Sequence, residues 1–347
     1  MQVAMSTLDS PEVPMTIQEK RHLVRVSFLL LVSVTVGVAE DDPRGIADGS
    51  DITVLRATEL ECLIGNNKSH KNERQEQHKP GYNGVFALKS PHQSENPFVT
   101  SYAGLNLEHY FDAREEYVGN QFFEPRHSTM NVRKISATAV ELHQPKTSTF
   151  AVESWTRFEV VDPYYLDFSF RFIPHEDNFK GGFMGVFWAS YMNGPEDKST
   201  YFLDGSSSLE KPLWRQLCTQ RHNRDSTVRS VNSRTHLEFE KSNVTLFSSI
   251  SPLQYSDAFF YGRFRNMALI YMFQPDVNLR FAHSPSGGGT NRSGTDTNPA
   301  WDFQLVVPNY EIGKEYRLNG RLAYKPWVSR SDVLAEVKRY RTRKTKE

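Results

Sequence analysis

Glu153 to Phe172 reads ESWTRFEVVDPYYLDFSFRF, and the fold class follows from it. Val152, Ser154, Thr156, Phe158 and Val160 alternate with Glu153, Trp155, Arg157 and Glu159. After Asp162-Pro163, Leu166, Phe168, Phe170 and Phe172 alternate with Tyr165, Asp167, Ser169 and Arg171. A strict period of two is the mark of a strand with one apolar and one polar face. Asp-Pro is a turn signal, so the two runs pair as a hairpin.

Working outward, Gly182–Tyr191 and Met267–Phe273 are nearly continuous apolar runs of strand length. Trp301, Phe303, Leu305 and Val307 alternate with Asp302, Gln304 and Val306, and Arg317–Tyr324 reads as a final strand. Helical character is confined to the C-terminus, where Ser329-Arg330-Ser331-Asp332 has capping-box form ahead of VLAEVKRY. Many strands with almost no helices between them predict an all-β fold: a large two-sheet β-sandwich, supersandwich or jelly-roll-like, with a short C-terminal helix.

The expected domain plan has four parts. Residues 1–39 read as a signal peptide: Lys20, Arg21 and Arg25 precede the apolar run Val26–Val38, and Gly37-Val38-Ala39 supplies small residues for cleavage. Met15 is an alternative start. The apolar run falls short of the about 20 residues of a membrane-spanning helix. Residues 40–80 are polar and poorly patterned, which predicts a linker or disordered segment. Residues 81–328 form the β-sandwich, and 329–347 the helix and a basic tail that runs from Lys338 to Lys346 and is expected to be solvated. The mature chain is therefore expected to be secreted or periplasmic, with no membrane span.

Lys+Arg and Asp+Glu both number 41, so no excess positive charge is available to hold a nucleic-acid backbone. The 2 cysteines, Cys62 and Cys218, are too few for a disulfide framework, and no C-x-x-C is present for a thiolate zinc site. No cofactor fingerprint, phosphate loop or hydrolase elbow occurs. Gly287-Gly288-Gly289 sits among turn residues and reads as a flexible loop. Glu108, His109 and Asp112 are metal-ligand types, but a regular strand sends Glu108 and His109 to opposite faces, so no metal is expected.

Candidate chemistry lies on the polar strand faces and two loops. Arg157, Tyr165, Asp167 and Arg171 share one side of the hairpin; Tyr261 and Arg263, with Arg265, share a side of another strand; Asp302 and Gln304 share a third. Arg and Asp make directional hydrogen bonds to hydroxyls, and Tyr and Trp stack on the apolar face of a sugar ring. The alternative is an exterior face of cross-strand ion pairs. The loop around Trp188, Tyr191, Asn193, Glu196 and Asp197 adds groups suited to substrate binding. His283 and His222 are candidate acid–base groups near neutral pH, with Asp302 and Glu153 as partner carboxylates.

From Gly104 to Pro326 the chain resembles secreted sugar-handling sandwiches of the galactose-mutarotase-like type, on GLNLEHYFD, ESWTRFEVVDPYYLDFSFRF, FWASYMNGPEDKS, FAHSPSGGG and PAWDFQ. The resemblance implies a His and a carboxylate on a concave sheet; here His283 or His222, with Glu153 or Asp302, fill those roles. The expected function is a carbohydrate-active protein, a glycoside hydrolase, polysaccharide lyase or sugar epimerase. A non-catalytic glycan-binding or structural envelope protein stands as the alternative. Sandwich edges leave the oligomeric state open.

Overall fold

The computed structural model describes residues 52–68, 82–101, 103–114, 116–240, 245–291 and 294–344. In chain order the strands begin with β1 (Thr53–Arg56), β2 (Glu61–Gly65), β3 (Gly84–Lys89) and β4 (Asn106–Phe111). A 3-10 turn (Gly119–Phe123) and the short helix α1 (Glu124–His127) follow. Next come β5 (Asn131–Lys134), β6 (Ala139–Gln144), β7 (Val152–Val161), β8 (Tyr165–Pro174), β9 (Phe183–Ala189), β10 (Thr200–Leu203), β11 (Trp214–Leu217) and β12 (Thr227–Ser230). The series ends with β13 (Ile250–Tyr255), β14 (Phe259–Phe264), β15 (Met267–Phe273), β16 (Leu279–Ser284), β17 (Ala300–Pro308), β18 (Tyr316–Pro326) and helix α2 (Arg330–Lys344).

The expected hairpin is β7–β8, closing at Val161↔Tyr165. It lies inside a nine-stranded sheet of order β11-β10-β14-β15-β18-β8-β7-β6-β5. A six-stranded sheet of order β13-β12-β16-β17-β9-β4 packs against it. Alternation explains the join. Phe168 and Phe170 of β8 meet Trp188 of β9 and Phe303 of β17 in one buried cluster, with Trp188 and Phe303 stacked 6.0 Å apart. A tight aromatic interior of this kind is what a two-sheet sandwich buries. The fold is thus the all-β sandwich with a C-terminal helix that the sequence predicts.

The expectation of a linker over 40–80 fails where the structure describes it. β1 and β2 pair with β3 in a three-stranded sheet, and Leu55, Cys62 and Ile64 are buried in the main core. Residues 40–51 and 69–80 lie outside the described residues, as does the signal-like segment 1–39. Cys62 and Cys218 are both free thiols.

Helix α2 runs through most of the basic tail, with Lys338, Arg339 and Arg343 exposed. Ser329 Oγ accepts from Asp332 N–H, the cap the sequence motif implied. Val333, Val337 and Tyr340 are buried against Tyr165, Tyr261, Ile270 and Met272 on the outer face of the nine-stranded sheet. Glu336 sits under the helix, accepting from Tyr165 Oη at 2.7 Å, Tyr164 Oη at 2.9 Å and Lys325 Nζ at 2.8 Å. Among the described residues no helix is long and apolar enough to cross a membrane.

Candidate functional site

The outer face of the six-stranded sheet carries a cavity of about 310 Å³, within the small-ligand range. β4 contributes Glu108 and His109, β9 Phe187, β16 Ser284, and β17 Ala300 and Asp302. Loops add Phe122 and Phe123, Tyr191, His222 and Asn223, Thr245 to Phe247, and Gly287. The Gly287 position is tight: a Cβ there would stand 2.8 Å from that of Ala300 and 3.1 Å from the Tyr191 ring. Glycine therefore lets the Gly-rich loop close one side of the cavity.

Glu108 and His109 both face the cavity because β4 is irregular. Its pairing with β9 shifts register between Leu107 and His109. A bulge inserts one residue and turns two consecutive side chains to the same side. Glu108 then becomes the centre of a buried network. Its Oε2 is 2.7 Å from Arg126 Nη2, its Oε1 is 2.8 Å from His109 Nε2, and Tyr191 Oη donates to it at 2.7 Å. The other ring nitrogen of His109 faces the Phe122 carbonyl. Arg126 comes from α1, which carries Pro125 in its first turn and is anchored by Glu124 accepting from Ser148 Oγ and from the N–H groups of Thr149 and Phe150. The Arg126 guanidinium also lies 4.4 Å over the Tyr82 ring.

Two carboxyls in this cavity are driven in opposite directions. Burial alone would raise Glu108, but the charges of Arg126 and His109 and the His109 and Tyr191 hydrogen bonds outweigh it and bring it down to about 2. Burial pushes Asp302 well above the usual carboxylate range; the Ser190 N–H, 3.0 Å from Oδ1, opposes this, and the Glu108 charge adds to it. Burial thus favours the protonated form of Asp302, while the neighbouring cation and hydrogen bonds favour the charged form of Glu108. At the exposed rim of the cavity, His222 Nδ1 lies 2.8 Å from Ser284 Oγ. Burial of part of the ring lowers its pKa, so it is neutral near pH 7. Asn223, at φ 58°, has a buried Oδ1 without a hydrogen-bond partner. Phe122, Phe187 and Phe247 close around the His109 ring at 4.0, 5.4 and 5.7 Å.

Of the residues expected from sequence, Asp302, His222 and Tyr191 meet in this cavity. The others lie elsewhere. His283 points inward with Leu279 and Phe281; Thr219 Oγ1 is 2.7 Å from Nδ1 and the Lys198 carbonyl 2.9 Å from Nε2. Burial holds its ring down to about 4, with the Lys198 carbonyl bond opposing and the Lys198 charge assisting. Glu153 bridges His143 and His175 at 2.8 and 2.9 Å on the nine-stranded sheet. Trp188 is core. Asn193 donates to the Asn96 carbonyl, Glu196 pairs with Arg265, and Asp197 accepts from Tyr201 Oη.

The hairpin's polar face is an exterior of cross-strand pairs. Asp167 takes Nε and Nη2 of Arg321 on β18 and Arg171 reaches Glu315 at 3.3 Å while lying 3.8 Å over Trp155, whereas Arg157 pairs along its own strand with Glu159 at 2.8 Å. Tyr165 and Tyr261 are covered by α2 and the segment before it, and Arg263 lies over Trp327. Gln304 is buried beside the cavity, donating to Thr227 Oγ1 at 3.1 Å. The sequence reading missed Arg126 and Asn223 and set Glu108 and His109 aside as a weak metal pair. Among the described residues no cluster of His, Cys, Asp and Glu is placed to hold a metal ion.

No protein-family model matches this sequence, and no curated protein matches it. Solved structures do. A galactose mutarotase-like protein from Lactobacillus casei is 10% identical with a TM-score of 0.47, over 79% of this chain and 99% of that one. A galactose 1-epimerase from Lactobacillus acidophilus is 6% identical with a TM-score of 0.43, over 81% and 97% of the two chains. A heparan sulfate lyase mutant from Pedobacter heparinus is 9% identical with a TM-score of 0.43, over 81% of this chain and 36% of that one.

Proposed function

We propose that this protein binds a sugar in the cavity above the six-stranded sheet and processes it by acid–base chemistry. The observation that carries the reading is the opposed pair of carboxyls. Where neighbouring acids are pushed apart, one is stored protonated and the other charged, and the division assigns their roles. Asp302 supplies a proton to a ring or glycosidic oxygen. His222 has no protein partner on Nε2, among the described residues, and takes a proton from a sugar hydroxyl. Glu108 keeps Asp302 protonated by its charge and orients Tyr191. The aromatic lining offers a face for the apolar side of a pyranose, and the unpaired Asn223 acceptor suits a hydroxyl donor. Action outside the cytoplasm belongs to the same proposal, supported by the signal-like composition of Lys20 to Ala39.

The test is a panel of mono- and oligosaccharides, read by thermal shift and by chromatography of products. A ligand that binds the folded state raises Tm by mass action. Stabilisation with new products supports the reading, and stabilisation without products would reduce it to a glycan-binding protein. A flat panel would sink it. On any sugar that is turned over, His222→Gln is expected to lower kcat by roughly 10²–10⁴-fold, the usual worth of a general base. Because His222 lies at the exposed rim, that variant should change stability by less than about 0.5 kcal/mol.

A further inference from the structure

Arg280 of β16 is 1% exposed, and its Nε has no hydrogen-bond partner. Its partner across the ladder in β12 is a second arginine, Arg229, whose buried Nε is also unpaired. On the other side its partner in β17 is Gln304, with an unpaired buried Oε1. Among the described residues no carboxylate lies within ion-pair distance of either arginine. The contrast with the other buried arginines is direct: Arg126 is matched by Glu108 and Arg321 by Asp167.

Like charges facing each other across a ladder repel, and a desolvated cation without a counter-charge is costly. Burial, together with the Arg229 charge, holds Arg280 down to about 10. A fold that pairs its other buried guanidiniums has left two together on one sheet face.

We infer that Arg280 and Arg229 form a binding site for an oxyanion, the carboxylate, phosphate or sulfate group of a small ligand. Two planar forks present directed N–H groups, the geometry that suits bidentate capture of such oxygens. The site lies on the same face as the sugar cavity. Ala282 is the register partner of Asp302, and Arg280 stands two residues from Ala282. This places Arg280 one diagonal step from Asp302, about 7–8 Å in a ladder of this type. An acidic group carried by a sugar at Asp302 and a free inorganic anion are both within its chemistry. The site itself stands on the unpaired arginines and does not depend on the sugar reading.

The experiment is calorimetric titration of the whole protein with inorganic phosphate, galacturonate and galactose, at constant ionic strength held with chloride, repeated on Arg280→Gln and Arg229→Gln. Saturable binding of phosphate or galacturonate is expected, weakened roughly 10- to 100-fold in each variant, the worth of a lost charge-assisted hydrogen bond. Phosphate binding identifies a free anion as sufficient. Galacturonate binding without phosphate or galactose binding makes the anion sugar-borne. Absence of binding by both anions, or equal binding in the wild type and both variants, would overturn the site. Arg229 is only partly buried, so its variant carries the test if Arg280→Gln does not fold. Failure of the sugar panel with phosphate still bound would sink the sugar reading and leave this site standing.

Discussion

Glu108→Gln is expected to destabilise the fold by about 3–5 kcal/mol, the cost of leaving one member of a buried ion pair without its partner. The side chains of Glu108 and Arg126 are 4% and 0% exposed, so water cannot replace the lost charge. A glutamine amide has one acceptor oxygen and adds a donor. It would have to face the Arg126 guanidinium, the His109 Nε2 and the Tyr191 hydroxyl, all of which address the carboxylate in the native protein. Urea unfolding measures the loss. Arg126→Met alone should cost a similar amount, and the double variant should recover part of it, because it leaves neither charge buried without its partner. A single-variant loss under about 1 kcal/mol would show that the network does not hold the site.

The pH dependence follows with its sign. Glu108 lies at about 2 in the folded chain against an ordinary 4.5. A depressed carboxyl contributes stability above its unfolded value and loses it as pH falls through the folded one. The native protein should therefore lose this stabilisation between about pH 4.5 and 2, and Glu108→Gln should flatten that part of the curve.

The sandwich was legible because its evidence is local. The β7–β8 hairpin, β15 and β17 each carry an uninterrupted pattern, and the burial of Phe168, Phe170, Trp301 and Phe303 follows it. β1 and β2 were hidden because a few apolar positions, Leu55, Cys62 and Ile64, lie close to a long polar run. The site divides along similar lines. Asp302 was found because β17 keeps strict alternation and leaves a carboxylate among polar positions. Glu108 and His109 were set aside on a rule that holds only for regular strands, and the bulge in β4 suspends it. His283 could have been placed correctly from sequence, since alternation puts it with Leu279 and Phe281 on the inward side. Arg126 gives no local signal, because its role depends on α1 meeting β4 through the tertiary fold.

Asp302→Asn tests the other half of the site, and a fall in turnover of roughly 10²–10⁴-fold is expected for loss of a general acid. The change removes the proton that the buried carboxyl stores and keeps nearly all else. An asparagine Oδ1 can still accept the Ser190 N–H that Asp302 accepts at 3.0 Å, so the backbone after β9 keeps its partner. Stability should move the opposite way from Glu108→Gln. A carboxyl raised in the folded state binds its proton where the unfolded chain has already lost it. Wild-type stability therefore falls as pH rises from the ordinary 3.8 toward the folded value, and the cost persists above it. Asparagine carries no such cost, so Tm at pH 8 should equal or exceed that of the wild type while turnover collapses. Glu108 is one source of the raised value, which links the two predictions: in Glu108→Gln, the alkaline limb of any surviving activity should move to lower pH, because Asp302 loses its proton more easily. Turnover of Asp302→Asn within about tenfold of the wild type, on a sugar that the wild type processes, would remove Asp302 as the acid. A large fall in Tm would recast it as a structural residue, since a neutral acid replaced by a neutral amide of the same shape removes no charge from the core.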